Sequence, residues 1–256
     1  MPTDQQCVFL GKNNNTYGDI AHFSNKNIAC TISIGSDEHS PSLVYKGDKK
    51  SANEDAVLAA RQDDHVLLAV ADSHFGQWAS HSLISGLAAN LKQLTAPQAI
   101  YSVLRDLCAT EYVHKENSET TLLIVLLNMS TGEGFGISFG DSSALLVSDE
   151  AVQRLNSKNS HYVSFNKAFS FEAGAANEFN FNVNAGELLL IFTDGVDECH
   201  YGYPETSVND DHIHKLFLNN KGDVKSFVSH LASLALSGVN GNPGGQDNLA
   251  IAAVLF

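Results

Sequence analysis

Four short acidic segments punctuate the sequence: Asn53-Glu54-Asp55-Ala56, Ala71-Asp72-Ser73-His74, Thr193-Asp194-Gly195 and Gln246-Asp247-Asn248. Asp72, Asp194 and Asp247 each abut an apolar run, and Glu54-Asp55 precede the apolar residues 56–60. Acids at the ends of neighbouring strands can converge on one spot. Taken singly, each is equally well explained as a turn residue. Taken together, with His74 two residues beyond Asp72, they form a set. Carboxylates gathered without partners repel and raise one another's pKa. Divalent cations remove that repulsion, and a donor set made of oxygens suits Mg²⁺ or Mn²⁺. Cys7, Cys30, Cys108 and Cys199 lie far apart with no CxxC pair, so neither zinc nor a dithiol motif is suggested.

Elements able to carry these residues are legible in the hydrophobic pattern. Residues 66–71 (VLLAVA) form a short apolar run ending at Asp72, as a buried strand with a polar tip does. Residues 77–94 carry Leu83, Ile84, Leu87, Leu91 and Leu94 at three- and four-residue spacing, which predicts an amphipathic helix. Thr95 and Gln98 have capping-box spacing, with Pro97 in the first turn, and a second helix continues through Ile100, Val103, Leu104 and Leu107. From Thr120 the texture changes. Residues 120–127, 134–139 and 144–147 predict consecutive strands, with turns at Thr131-Gly132 and Asp141-Ser142. Residues 187–192 (ELLLIF) predict another strand, followed by acid at Asp194. Residues 223–237 predict a helix closed by Gly238, and residues 248–256 a last strand behind Asp247. Helices in two clusters, with grouped strands between them, predict an α+β fold: an antiparallel sandwich with helices outside.

No repeat, low-complexity tract or linker splits the chain, so residues 1–256 are expected to form one domain. That length can bury a core without disulfide or metal staples. A hydrophobic fraction of 43% and a charged fraction of 17% mark an ordinary globular chain. The net charge of −14 disfavours nucleic acid and anionic membrane surfaces as partners. A metal site accounts for part of the acid excess and a solvated surface for most of it. No apolar run approaches the ~20 residues of a membrane helix. The opening MPTDQQCVFLGKNNN lacks the pattern of a secretory signal, so a cytoplasmic location with reduced thiols is expected.

The ordered motifs resemble those of the PPM family, the type 2C metal-dependent serine/threonine protein phosphatases. Asn53-Glu54-Asp55-Ala56 is similar to that family's first acidic motif, and Val70-Ala71-Asp72-Ser73-His74-Phe75-Gly76 to its VADGHGG motif. Thr120-Thr121-Leu122 with Phe139-Gly140-Asp141-Ser142 resembles its threonine-rich strand and GDS turn. Phe192-Thr193-Asp194-Gly195-Val196 and Asp247-Asn248 resemble its (S/T)DG and terminal DN. The order and approximate spacing agree from residue 50 to the last residue. The resemblance implies a four-layer αββα fold and hydrolysis of phosphoserine or phosphothreonine in proteins. It implies two Mg²⁺ or Mn²⁺ ions bridged by Asp72. Asp194 and Asp247 would complete the first site. Glu54 and the Ser73 carbonyl would serve the second, with Asp55 in or just behind it. Asp141, Asp194 and Glu198 would match a third, looser site, and His74 would be the general acid.

The sequence departs from the family pattern in four places. The family's phosphate-gripping arginine, four residues before the first acidic ligand, is Lys50 here, which keeps the charge but loses the planar fork. Lys49 and Arg61 are alternative cations for that task. Ser73 and Phe75 stand where the family has glycines; a serine costs energy if the backbone there needs φ > 0, and Phe75 adds an apolar wall at the mouth. Residues 149–184 hold a polar, Asn-rich segment in place of the usual flap, which is expected to be reduced or atypical. Asp211-His212-Ile213-His214 reads as the exposed start of a helix rather than a metal site. Two other functions remain open on the sequence: a catalytically weak adaptor that binds phosphoproteins, and a hydrolase of small phosphate esters.

Overall fold

The computed structural model describes residues 5–46, 52–111, 118–164 and 175–256. The first half runs β1 (Gln5–Leu10), β2 (Ala21–Asn25), β3 (Ile28–Ser33), β4 (Asp55–Gln62), β5 (His65–His74), α1 (Trp78–Ala89) and α2 (Pro97–Glu111). The second half runs β6 (Glu119–Thr120), β7 (Leu122–Asn128), β8 (Glu133–Phe139), β9 (Ser143–Val147), β10 (Val152–Arg154), β11 (Val163–Ser164), β12 (Asn177–Asn182) and β13 (Leu188–Phe192), then α3 (Asp210–Asn219), α4 (Val224–Ser237) and β14 (Leu249–Leu255).

The strands form two antiparallel sheets. The first has the order β1-β4-β5-β7-β8-β12, with β6 paired to the end of β5 and β11 to β6. The second has the order β10-β9-β13-β14-β3-β2. Consecutive strands β8 and β9 fall in different sheets, so the turn at Asp141-Ser142 crosses the sandwich.

Alternation along each strand divides the apolar residues between two faces. Val57 and Ala59 on β4, Leu68 and Val70 on β5, and Leu123 and Val125 on β7 meet Cys30, Ile32, Leu189, Ile191 and Ala252 between the sheets. The opposite faces are apolar as well. Leu58, Ala69 and Ile124 pack under Leu83, Leu87, Ile100 and Leu104 of α1 and α2. Leu190, Phe192 and Ile251 pack under Ile213 and Phe217 of α3, and under Phe227 and Leu231 of α4. Strands buried on both faces read as unbroken apolar runs, which is why TTLLIVLL and ELLLIF lack alternation. The result is the expected four-layer αββα sandwich.

Several expectations need adjustment. The strand ending at Asp72 continues to His74, because Ser73 and His74 pair with Thr120 and Glu119 of β6. The helix over 77–94 ends at Ala89 and gives way to a 3₁₀ turn at Leu91–Gln93. The second helix begins at Pro97 itself. Gln5–Leu10 is an edge strand of the first sheet, registered on Ala56–Arg61 of β4. The segment 149–184 supplies edge strands to both sheets, through β10 and β12. His212 and His214 lie in the first two turns of α3: His212 closes a capping box with Asn209, and His214 Nε2 meets Asp149 O at 3.1 Å.

Candidate metal and phosphate site

Pairing of β4 with β5 sets Asp55 opposite Asp72, so two acids face each other at one end of the first sheet. At the same end of the second sheet, Asp194 follows β13 and Asp247 precedes β14, and these two strands are themselves paired. Gly195 is required between them. A Cβ on it would lie 1.7 Å from the Asn248 carbonyl oxygen. The turn after β13 therefore presses its backbone onto the Asp247-Asn248 backbone.

Polar contacts tie the two sheet ends together. Thr193 Oγ1 donates to Asp55 Oδ2 at 2.6 Å. Asn248 Oδ1 accepts from Glu54 N at 2.9 Å, while its amide donates to Ile34 O at 3.0 Å. Asp72 is fixed by its backbone: its N–H donates to Thr121 Oγ1 at 2.9 Å, and its carbonyl accepts from Thr120 Oγ1 and Thr121 N. Ser80 at the start of α1 donates to the Glu54 carbonyl, and its own N–H donates to Ser73 Oγ at 2.7 Å. His81 Nε2 meets the Asp55 carbonyl at 3.1 Å.

A cavity of about 260 Å³ opens over this arrangement, lined by Lys46, Glu54, Asp72, His74, Asp194 and Asp247, with Tyr45, Phe75 and Tyr201 among the residues around it. Asp55 lies wholly buried behind it. Burial raises its carboxyl to about 7, against the lowering effects of the Thr193 hydrogen bond and of Lys46. Burial, and then Asp55, drive Asp72 well above the usual carboxylate range. Burial, and then Asp72 and Asp247, do the same to Asp194. Asp141, at the turn between β8 and β9, adds its charge to both. Among the described residues, Asp55 Oδ1, Asp72 Oδ1 and Asp194 Oδ1 are buried with no hydrogen-bond partner. Orphaned anionic oxygens of this kind are costly unless a cation meets them.

Lys46 is the residue the sequence reading missed. Its side chain is 7% exposed, and Nζ lies 3.0 Å from Asp247 Oδ1 and 3.6 Å from Glu54 Oε2. Burial pushes its pKa down, but Asp247, Asp72, Glu54 and Asp55 outweigh that and hold it well above the ordinary lysine value. Nothing in the sequence separates it from Lys49 and Lys50. Lys50, expected to grip phosphate, lies outside the described residues, as does Lys49. Arg61 cannot replace them. It sits near the far end of β4, roughly 20 Å from Asp55 at ~3.4 Å per residue, with Nε donating to Asp63 O.

His74 ends β5 at the cavity mouth, with Nδ1 3.7 Å from Glu119 Oε1 and the Tyr162 ring edge-on at 4.8 Å between centroids. Ser73 is buried in β5 with ordinary extended backbone. The left-handed residue is Phe75, with φ 64° and 60% exposure, so the expected backbone cost falls on Phe75 and not on Ser73. Glu198 faces Lys158, which lies 3.7 Å from it and 3.1 Å from Asp197. Burial raises the Glu198 carboxyl and Lys158 lowers it. Among the described residues, no group of three or more acidic, histidine or cysteine side chains is a ready-made metal site, although the acids lie near enough to shift one another.

A family model described as Protein phosphatase 2C matches residues 46–235. No curated protein matches the chain. The fold is similar to a crystal structure of a bacterial serine phosphatase, with a TM-score of 0.68 at 19% identity over 91% of this chain and 99% of that one. It is similar to the PPM Ser-Thr phosphatase MsPP from Mycobacterium smegmatis in complex with cacodylate (TM-score 0.64, 17% identity, 91% and 100% covered). It is also similar to the catalytic domain of the serine threonine protein phosphatase PstP in complex with 2 manganese ions (TM-score 0.63, 19% identity, 92% and 99% covered).

Proposed function

The chain belongs to the protein phosphatase 2C family, and on that premise we propose that it hydrolyses phosphoserine and phosphothreonine in proteins with the help of bound Mg²⁺ or Mn²⁺. The observation that carries this reading is the set of buried, unpartnered oxygens on Asp55, Asp72 and Asp194 beside Asp247 and Glu54. That donor set is made of hard oxygens and has an excess of negative charge, which fits Mg²⁺ or Mn²⁺. PstP with manganese, and the similarly folded RsbX with magnesium (TM-score 0.62, 16% identity), support the choice of metal.

In this reading Asp72 would lie between two cation sites, with Asp194 and Asp247 as further ligands of one and Glu54, the Ser73 carbonyl and Asp55 serving or backing the other. Asp141, Asp194 and Glu198 would hold a third, looser ion, for which Lys158, 3.7 Å from Glu198, would compete. Divalent cations held there would supply a water of lowered pKa and charge neutralisation for the phosphoryl oxygens. The chain's own groups do the rest. His74, at the mouth, protonates the leaving alkoxide. Glu119 and Tyr162 orient its ring. Lys50 grips the phosphate. The buried wall behind Asp55 and Asp72 keeps bulk water from the ligand oxygens. No cysteine takes part; all four are free and buried.

The test is release of phosphate from a phosphothreonine peptide with Mn²⁺ or Mg²⁺, against EDTA and an Asp194→Asn variant. Metal-dependent release that the variant lacks supports the reading. Wild-type protein that binds Mn²⁺ but releases nothing would turn the assignment to a phosphoprotein-binding adaptor.

A further inference from the structure

The roles above leave Lys46 without a task, yet the structure goes to some length to deliver it. It follows the 3₁₀ turn Pro41–Val44. Ser40 Oγ and Ser42 Oγ both donate to the carbonyl of Gln246, the residue before Asp247. Ser36 N and Asp37 N donate to the Gly245 carbonyl. The segment leading to Lys46 is thereby fastened to the loop that carries Asp247. The ammonium then reaches Asp247 of one sheet end and Glu54 of the other. A lysine this buried is retained where carboxylates pair with it.

We infer that Lys46 is a tethered competitor for the divalent cation at Asp247 and Glu54, and so sets how much free Mn²⁺ or Mg²⁺ the site needs. The inference rests on the reading of this cluster as a cation cage. The ammonium and a metal ion need the same Asp247 oxygen, and like charges at that range exclude one another. The lysine stem is flexible, so Nζ can withdraw towards Tyr45 and the cavity mouth while the serine contacts hold the turn. A single charge leaves and a double charge arrives, which matches the acid-rich cage better. The cost of displacing the ammonium lowers the apparent metal affinity by the fraction of molecules in which Lys46 is already withdrawn.

Two measurements on the full chain test this. The first is Mn²⁺ binding by titration calorimetry to wild type, Lys46→Gln and Lys46→Arg. The expected result is an apparent Kd at least tenfold tighter in Lys46→Gln and no tighter in Lys46→Arg. The second needs no variant: acetylation of surface lysines, mapped by peptide mass spectrometry. Lys46 should be protected in EDTA and modified in saturating Mn²⁺, with the exposed Lys26 modified in both. An unchanged or weaker Kd in Lys46→Gln, or equal protection of Lys46 with and without Mn²⁺, overturns the inference and leaves the cage reading standing. Absence of Mn²⁺ binding by wild type and variants alike removes both.

Discussion

Thr193 Oγ1 donates to Asp55 Oδ2 at 2.6 Å and accepts from Ala250 N at 2.9 Å, so one hydroxyl links the far end of β13 to the first residue of β4 in the other sheet. Thr193→Val removes both contacts and leaves a second oxygen of the buried Asp55 unpartnered. The expected cost is about 1–3 kcal/mol, a fall in Tm of roughly 2–4 °C per kcal/mol for a chain of this size class. Thr193→Ser, which keeps the hydroxyl, recovers most of it. Thermal melts of the three proteins in EDTA measure the difference.

The raised carboxyls set how stability depends on pH. In the metal-free protein, Asp55 (about 7), Asp72 and Asp194 keep protons that the unfolded chain gives up near pH ~4. The folded state therefore binds more protons across this window, and stability falls as pH rises from about 4 to about 7. His81, which burial lowers to about 4, acts in the opposite sense up to its unfolded value. Burial raises Asp197 and Glu198 as well and lowers His22, so five carboxyls against two imidazoles leave a net fall. Metal ligands must be deprotonated, so the gain in Tm from Mn²⁺ grows over the same range. Melts at a series of pH values, in EDTA and in Mn²⁺, read both slopes. A metal-free Tm that climbs through this window would show that these acids are not buried as described.

Gly195→Ala brings a methyl group against the Asn248 carbonyl, where a Cβ would stand at 1.7 Å. Backbone meets backbone there, so no side chain can swing aside. The expected cost is ~3 kcal/mol or more, at or above the upper end of overpacking effects, together with weaker Mn²⁺ binding because Asp194 and Asp247 are forced apart. Urea unfolding and calorimetry on the same sample test the two effects.

Phe75→Gly should stabilise the protein. The left-handed backbone at φ 64° costs an L-residue ~1–2 kcal/mol, which glycine avoids, and the exposed ring loses little packing. Phe75→Ala keeps the strain and should not match the gain. A glycine variant that melts at or below the wild-type temperature would mean that the ring contributes contacts outweighing the strain.

Much of this was legible in the sequence, for physical reasons that can be named. Asp72 and Asp194 stand out because unbroken apolar strands end in them, a pattern that burial on both sheet faces enforces. Gly238 and Asp223 mark the ends of α4 through local backbone chemistry. The edge strands β1 and β2 were not legible: their mixed, mostly half-buried residues resemble loop. Leu91 and Leu94 keep helical spacing beyond the end of α1, because a 3₁₀ turn buries Leu94 as an extra helical turn would. Lys46 was invisible for a different reason. Its significance comes from Ser40 and Ser42 docking on Gln246, a contact across some two hundred residues that no local pattern encodes.

The acids sit on a seam. Asp55 and Asp72 belong to one sheet, Asp194 and Asp247 to the other, and the contacts Thr193–Asp55 and Asn248–Glu54 close the gap between them. A cation held there would act as a clasp across the open end of the sandwich, whose middle is packed with apolar side chains. Chelation would loosen the sheets from that end first, with amide protons of Thr193, Asn248 and their neighbours exchanging before those in mid-strand. The strength of the clasp is then part of the strength of the shell.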